Sequence, residues 1–270
     1  MSSIPNTQEI YSSEYQWYES APGRYLRRQE EPLYDQAVAD LFGFNALQMG
    51  CLQMDLLRHS RIASRYRSSD FVTAGHHAHL HCNDDFLPFA DTSLDLLLLP
   101  HRLEFSERPH QTLREAERVI MPEGHLLISG FNPFSLWGVV YALKNLLPNK
   151  SCPKDFPWSG RFISLTRLKD WLSLLGFEVV SVQMCCHMPP FEQKAWHRRF
   201  SFVSKLAARW LHMMGGVYFV VAKKRVVCMT PLKPSWKKTS LQPRLVARPT
   251  QRGQSKNGVL KPPNKNHCEQ

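Results

Sequence analysis

The sequence predicts an α/β fold: one domain on a seven-stranded, mostly parallel sheet with helices on both faces, followed by a disordered basic tail. Three observations carry that expectation. The segment Leu87–Pro133 reads as strand, helix, turn, strand, a crossover whose length suits parallel neighbours. Short apolar runs recur before and after it, with room for helices between them. Charge is segregated: of 34 Lys and Arg and 23 Asp and Glu in the chain, twelve basic residues and one acid, Glu269, fall between Lys223 and Gln270. Residues 1–222 are therefore neutral, with 22 of each sign.

Residues 1–20 are polar and read as a loose segment. A domain is expected over residues 21–222 and the tail over 223–270. After Gly23, Leu26, Leu33, Ala37, Val38 and Leu41 form an apolar stripe, which predicts a helix interrupted near Pro32 and ended by Gly43. Phe44–Met49 is the first strand, and the segment after it is helical or irregular. Phe71–Ala74 and His79–Cys82 are the expected second and third strands, and Leu94–Leu99, uniformly apolar behind Asp95, is the fourth. Pro109 opens a helix, where its missing N–H costs nothing. Leu113, Ala116 and Ile120 share one face of it, and Pro122 and Gly124 make the turn into a fifth strand, His125–Ser129. Leu165–Leu175 is a helix stopped by Gly176; strands follow from Phe177 and over Val217–Ala222. Two aromatic-rich insertions, Asn132–Phe162 and Cys185–Gly215, follow strand ends on the side where ligands of such sheets bind.

At 270 residues the chain is long enough to bury a full core. No run of 18 apolar residues predicts a membrane span, and the N-terminus lacks the basic start and apolar stretch of a secretory signal. Seven cysteines without C-x-x-C spacing suit a reducing cytoplasm. The tail combines six prolines and few apolar anchors with its positive charge. Its composition predicts disorder, and either a solubilising extension or weak contact with nucleic acid or acidic lipid. The run His76–Cys82 places His77, His79 and His81 on one face of a strand, but three imidazoles on one short strand make a poor metal site; no metal is expected.

The block Leu87, Pro88, Phe89, Asp91, Ser93, Asp95, followed by Glu115, Arg118, Val119, Pro122 and Gly124, resembles the second half of class I S-adenosylmethionine (SAM)-dependent methyltransferases. The likeness is to their small-molecule, type 11 branch, and within it to a little-characterised bacterial group reading LPH-x-LEF and SGFNP-x-SLWG. The resemblance implies a Rossmann-like sheet, SAM as cofactor and a helix before the first strand that covers the cleft. It places the cofactor wall at Gln48, Gly50, Cys51, Asn83, Asp84, Leu99 and Pro100. His101, just past the fourth strand, is the candidate base or orienting group, with surface or packing histidine as the alternative. Trp137, Tyr141 and Trp158 are candidates to line the acceptor, or simply to pack.

The chain departs from the family at three points. Gln48 stands where an acid is usual in the first strand, and Leu52 and Met54 replace the second and third glycines of G-x-G-x-G. The expected second strand, Phe71 to Gly75, offers no acid for the ribose. Asn83 takes the place of the adenine-binding Asp, with Asp84 and Asp85 beside it. Methyl transfer needs alignment and exclusion of water more than a fixed acid–base set, so SAM-dependent methylation of a small molecule is the expected activity. A catalytically silent binding or regulatory protein is the alternative, and an RNA-directed enzyme guided by the tail the second.

Overall fold

The computed structural model describes residues 16–69, 78–146, 160–187 and 215–225. The strands are β1 (Asn45–Met49), β2 (Ser64–Ser69), β3 (Leu80–His81), β4 (Leu94–Pro100), β5 (Ile120–Phe131), β6 (Phe177–Cys185) and β7 (Val217–Lys224). They form one seven-stranded sheet in the order β3-β2-β1-β4-β5-β7-β6. All neighbours pair in parallel except β7, which runs antiparallel between β5 and β6. This is the Rossmann-like sheet expected from the sequence.

Helix α1 spans Ala21–Ala39, α2 Pro109–Val119, α3 Leu136–Leu146 and α4 Leu165–Leu174. Two cores result, one on each sheet face. Leu96, Leu98, Leu127 and Phe219 point toward α1, meeting Leu26, Tyr34 and Val38. Leu97, Leu99, Leu126 and Ile128 point the other way, onto Leu113, Ala116 and Val119 of α2 and Leu168 and Leu172 of α4. Alternate residues of β4 and β5 thus serve opposite cores, which is why both strands are apolar throughout.

The motif block proves to be scaffolding. Asp95 accepts hydrogen bonds from the backbone N–H groups of Phe44 and Asn45 at 2.7 and 2.9 Å, fixing where β1 begins. Arg118 donates to the carbonyls of Leu87 and Phe89 and pairs with Asp91 at 2.6 Å and Glu115 at 2.8 Å, clamping the loop before β4 to α2. The hydrogen bond from Arg118 to Glu115 is the main cause that holds the Glu115 carboxyl below its ordinary range.

Several local expectations are corrected. Helix α1 is unbroken through Pro32, and Ser20 caps it by accepting from the Gly23 N–H. The N-terminal segment is not loose throughout: residues 16–19 are helical, and Tyr18 is fully buried. Pro122–Gly124 is a bulge inside β5, with Glu123 at φ 66° and a register shift against β4, rather than a turn between elements. Strand β2 lies at Ser64–Ser69, upstream of Phe71–Ala74. Strand β7 runs on through Lys224, and Lys223 pairs with Glu123 at 2.8 Å. No helix among the described residues is long and apolar enough to cross a membrane.

Candidate functional site

Strand order reverses direction between β1 and β4, since the chain leaves β1 toward β2 and leaves β4 toward β5. The crevice above the carboxyl ends of those strands is where a sheet of this kind receives ligands. Three non-glycine residues at that edge hold left-handed backbone: Cys51 after β1 at φ 48°, His101 after β4 at φ 49° and Cys186 after β6 at φ 58°. Strained conformations of this kind persist only where the surroundings impose them.

The loop after β1 is built around Gln48, which is fully buried. Its Nε2 donates toward the carbonyls of Gly50, Cys51 and Met54 at 3.2, 3.1 and 2.8 Å, and its Oε1 accepts from the Leu56 N–H at 3.1 Å. An amide can serve both roles, whereas a carboxylate accepts only. The acid-to-Gln change therefore belongs with a reshaped loop. Residues 51–59 form turns, with no helix between β1 and β2. Met54, at the third glycine position, is buried in the α1-side core, and Leu52 is half-exposed. Gly50 keeps the left-handed φ of 77° that the sharp exit from β1 requires.

Across the crevice, Asp84 is buried and Asn83 is exposed. Asn83 uses its side-chain oxygen to accept from the Asp85 N–H at 3.1 Å, so it shapes the turn and leaves Asp84 as the inward group. The Arg102 Nε donates to both Asp84 oxygens, at 2.7 and 2.6 Å. Its side chain also runs beside Gly50, where an added Cβ would lie 3.4 Å from the Arg102 Cδ. Arg102 thus spans the crevice from the glycine to the acid, a residue that sequence reasoning passed over although it adjoins His101.

His101 sits at the end of β4, its backbone N–H bonded to the Ser129 carbonyl at 3.0 Å. The ring is buried, with Nε2 2.8 Å from Glu30 of α1 and Nδ1 3.7 Å from Glu104. Burial pulls its pKa down, but the Glu30 and Glu104 carboxylates outweigh that and raise it to about 10. At neutral pH the group is an imidazolium bridging two acids. Phe131 lies against the ring at 4.3 Å, and Trp137 stacks behind Phe131. Beside this cluster the Tyr34 hydroxyl donates to Ser129 Oγ at 3.1 Å, and burial together with the Glu30 charge raises its pKa well above the ordinary value.

Of the other residues singled out from sequence, Leu99 packs into the α2-side core and Cys51 into the α1-side core, while Pro100 ends β4 opposite Ser129. Trp137 is wholly buried packing; Tyr141 stacks on Phe162 at 4.2 Å at the mouth of the first insertion. His79 and His81 are engaged by the backbone, at Arg67 N–H and Ser69 carbonyl. Trp158, His76, His77, residues 188–214 and the tail from residue 226 lie outside the described residues. The placement of β2 also changes the reading of the ribose end: the chain position directly after Ser69 holds Asp70, an acid where the resemblance calls for one, just beyond the described residues.

Residues 48–128 match a family model described as a methyltransferase domain. The chain is 32% identical over 228 residues to the uncharacterized protein YafS of Escherichia coli K12, covering 84% of this chain and 88% of that protein. The chain belongs to one family with YafS, and residues 48–128 give it a methyltransferase domain. Among solved structures, the fold is similar to that of a SAM-dependent methyltransferase, possible histamine N-methyltransferase, from Thermotoga maritima. The TM-score is 0.57 at 20% identity, with 80% of this chain and 98% of that one covered. A SAM-dependent methyltransferase from Archaeoglobus fulgidus gives a TM-score of 0.53 at 16% identity, covering 79% and 99%.

SAM is the cofactor of this family, and the crevice has features that suit it. At Gly50 the atoms that an added Cβ would approach, among the described residues, are those of the flexible Arg102 side chain. Asp84 is a buried carboxylate, held by Arg102. Gly50, Asp84 and Arg102 are the residues that would border the cofactor, which would supply an activated methyl group on a sulfonium.

Proposed function

We propose that this protein transfers the SAM methyl group to a small-molecule acceptor by in-line displacement. The observation that carries the reading is the crevice itself: Gly50, Asp84 and Arg102 face one another over the β1–β4 reversal point in a chain of this family. In this reading Gly50 admits the cofactor, Asp84 accepts from its adenine amine and Asp70 serves the ribose by its place after β2. His101 acts as a positioning group. Held cationic by Glu30 and Glu104, it cannot take a proton near neutral pH; it joins α1 to the end of β4 and so holds the cover over the acceptor side. The acceptor must then lose its proton to water or attack unprotonated.

A second reading is favoured by the same crevice: the Arg102–Asp84 pair closes it, and the protein is a silent, methyltransferase-shaped binding module. Calorimetric titration of SAM and S-adenosylhomocysteine separates the two. We expect micromolar binding by the full chain, weakened about tenfold in Asp84→Asn, as loss of a charged hydrogen-bond partner implies. Arg102→Gln should bind more tightly, because the adenine no longer competes with a guanidinium for Asp84. No binding at millimolar ligand in any of the three proteins would establish the silent module. The basic tail is proposed as a weak nucleic-acid contact, separate from this chemistry.

A further inference from the structure

Beside the acceptor half of the sheet edge is a cavity of about 660 Å³ between the start of α2 and the start of α4. Four arginines line it, Arg108, Arg114, Arg161 and Arg167, together with His110; Glu107 is the one acidic residue among the described lining residues. Among the described residues the only carboxylate paired with any of the four is Asp85, 4.0 Å from a largely exposed Arg108. Arg161 donates to the carbonyls of Ser106 and Glu107, at 3.5 and 3.0 Å, which holds its guanidinium in the wall without neutralising it. Arg167 lies over the Trp171 ring at 5.2 Å.

The ordinary account of surface arginines is a solvated face with acids interspersed. That account fits poorly here, because four arginines line one concavity against a single acid among the described residues. Their mutual repulsion costs free energy unless a counter-charge enters. Guanidinium forks match phosphate oxygens two at a time, and a singly charged carboxylate would leave most of the excess unopposed.

The cavity also adjoins the proposed acceptor side. Phe162 lines it and stacks on Phe131 at 5.1 Å, which in turn lies on His101. Leu103, another wall residue, follows Arg102 directly in the chain.

We propose that this cavity binds the phosphate-bearing end of the methyl acceptor, so that the substrate class is a small phosphorylated molecule. The inference rests on the methyl-transfer reading for the word acceptor, but not for the anion site. The test is calorimetry on the full chain with inorganic phosphate, pyrophosphate and citrate as probes, and with polyuridylate as the macromolecular alternative. Wild type should bind pyrophosphate more tightly than phosphate, and citrate more weakly than pyrophosphate. The double variant Arg108→Gln/Arg114→Gln, which spares the wall-forming Arg161, should weaken pyrophosphate at least about tenfold and leave SAM affinity within about twofold.

Failure of pyrophosphate to bind wild type below millimolar, or an unchanged affinity in the double variant, overturns the proposal. So does citrate binding as well as pyrophosphate, which would assign the cavity to carboxylates. Polyuridylate binding through these arginines without pyrophosphate binding would overturn it in favour of a nucleic-acid backbone. Pyrophosphate binding in a protein that does not bind SAM would keep the anion site and remove the acceptor reading, so the two failures are distinct.

Discussion

Gln48 shows how one atom decides a loop. Where the family usually carries an acid, the amide nitrogen here donates toward the carbonyl oxygens of Gly50, Cys51 and Met54, and the amide oxygen takes a backbone N–H. Gln48→Glu restores the family's residue type but turns a donor into a carboxylate oxygen facing those carbonyls in a buried site. We expect it to destabilise the fold by roughly 3 kcal/mol, the order for leaving buried groups unsatisfied, as read from urea unfolding at pH 7. An unchanged midpoint would mean that the loop re-forms around the acid.

His101 gives the residue scale its pH dependence. Its pKa is raised in the folded protein from an ordinary 6.5 to about 10, so folding binds a proton over that interval. The stabilisation is full below about pH 6.5 and is lost as pH rises toward 10. The stability gap between wild type and His101→Gln should therefore narrow steadily from pH 7 to pH 10. A gap that widens over that range would show that the ring is neutral between its two acids.

At the scale of elements, legibility followed burial. Strands β4 and β5 were readable because each is apolar on both faces, and α2 because Leu113, Ala116 and Val119 repeat on one side of it. Strand β2 was misplaced because its residues, SRYRSS, are polar and only its last two are buried; it lies one strand from the sheet edge, beside the two-residue β3. Phe71–Ala74, which the apolar pattern favoured, lies outside the described residues. That slip concealed Asp70. An acid follows β2 directly in the chain, and it is the one proposed for the ribose. Pro32 misled in the other direction, since packing of Leu26, Tyr34 and Val38 against the sheet holds α1 continuous where propensity alone would break it. The crevice residues Asp84 and Gly50 were legible by position. Arg102 and the arginine cavity were not, because Arg102 meets an acid 18 residues away and the cavity joins two segments distant in the chain.

Over the whole molecule, two sets of basic residues stand against few acids. One is the set of cavity arginines, fixed on the folded domain. The other is the nine Lys and Arg of residues 226–270, set against Glu269 alone; Lys223, Lys224 and Arg225, at the end of β7, already pair with Glu123, Glu117 and Glu178. Counterion release distinguishes the two populations, because every phosphate of single-stranded RNA that a basic side chain neutralises adds about 0.7 to the salt slope. If the tail carries the nucleic-acid binding, ending the chain at Arg225 should reduce the slope of log K against log salt for polyuridylate by up to about 6, and leave pyrophosphate affinity unchanged. A slope that survives truncation but falls in Arg108→Gln/Arg114→Gln would place RNA binding at the cavity. The same arginines would then read a polymer backbone, and the phosphorylated acceptor would be RNA rather than a metabolite.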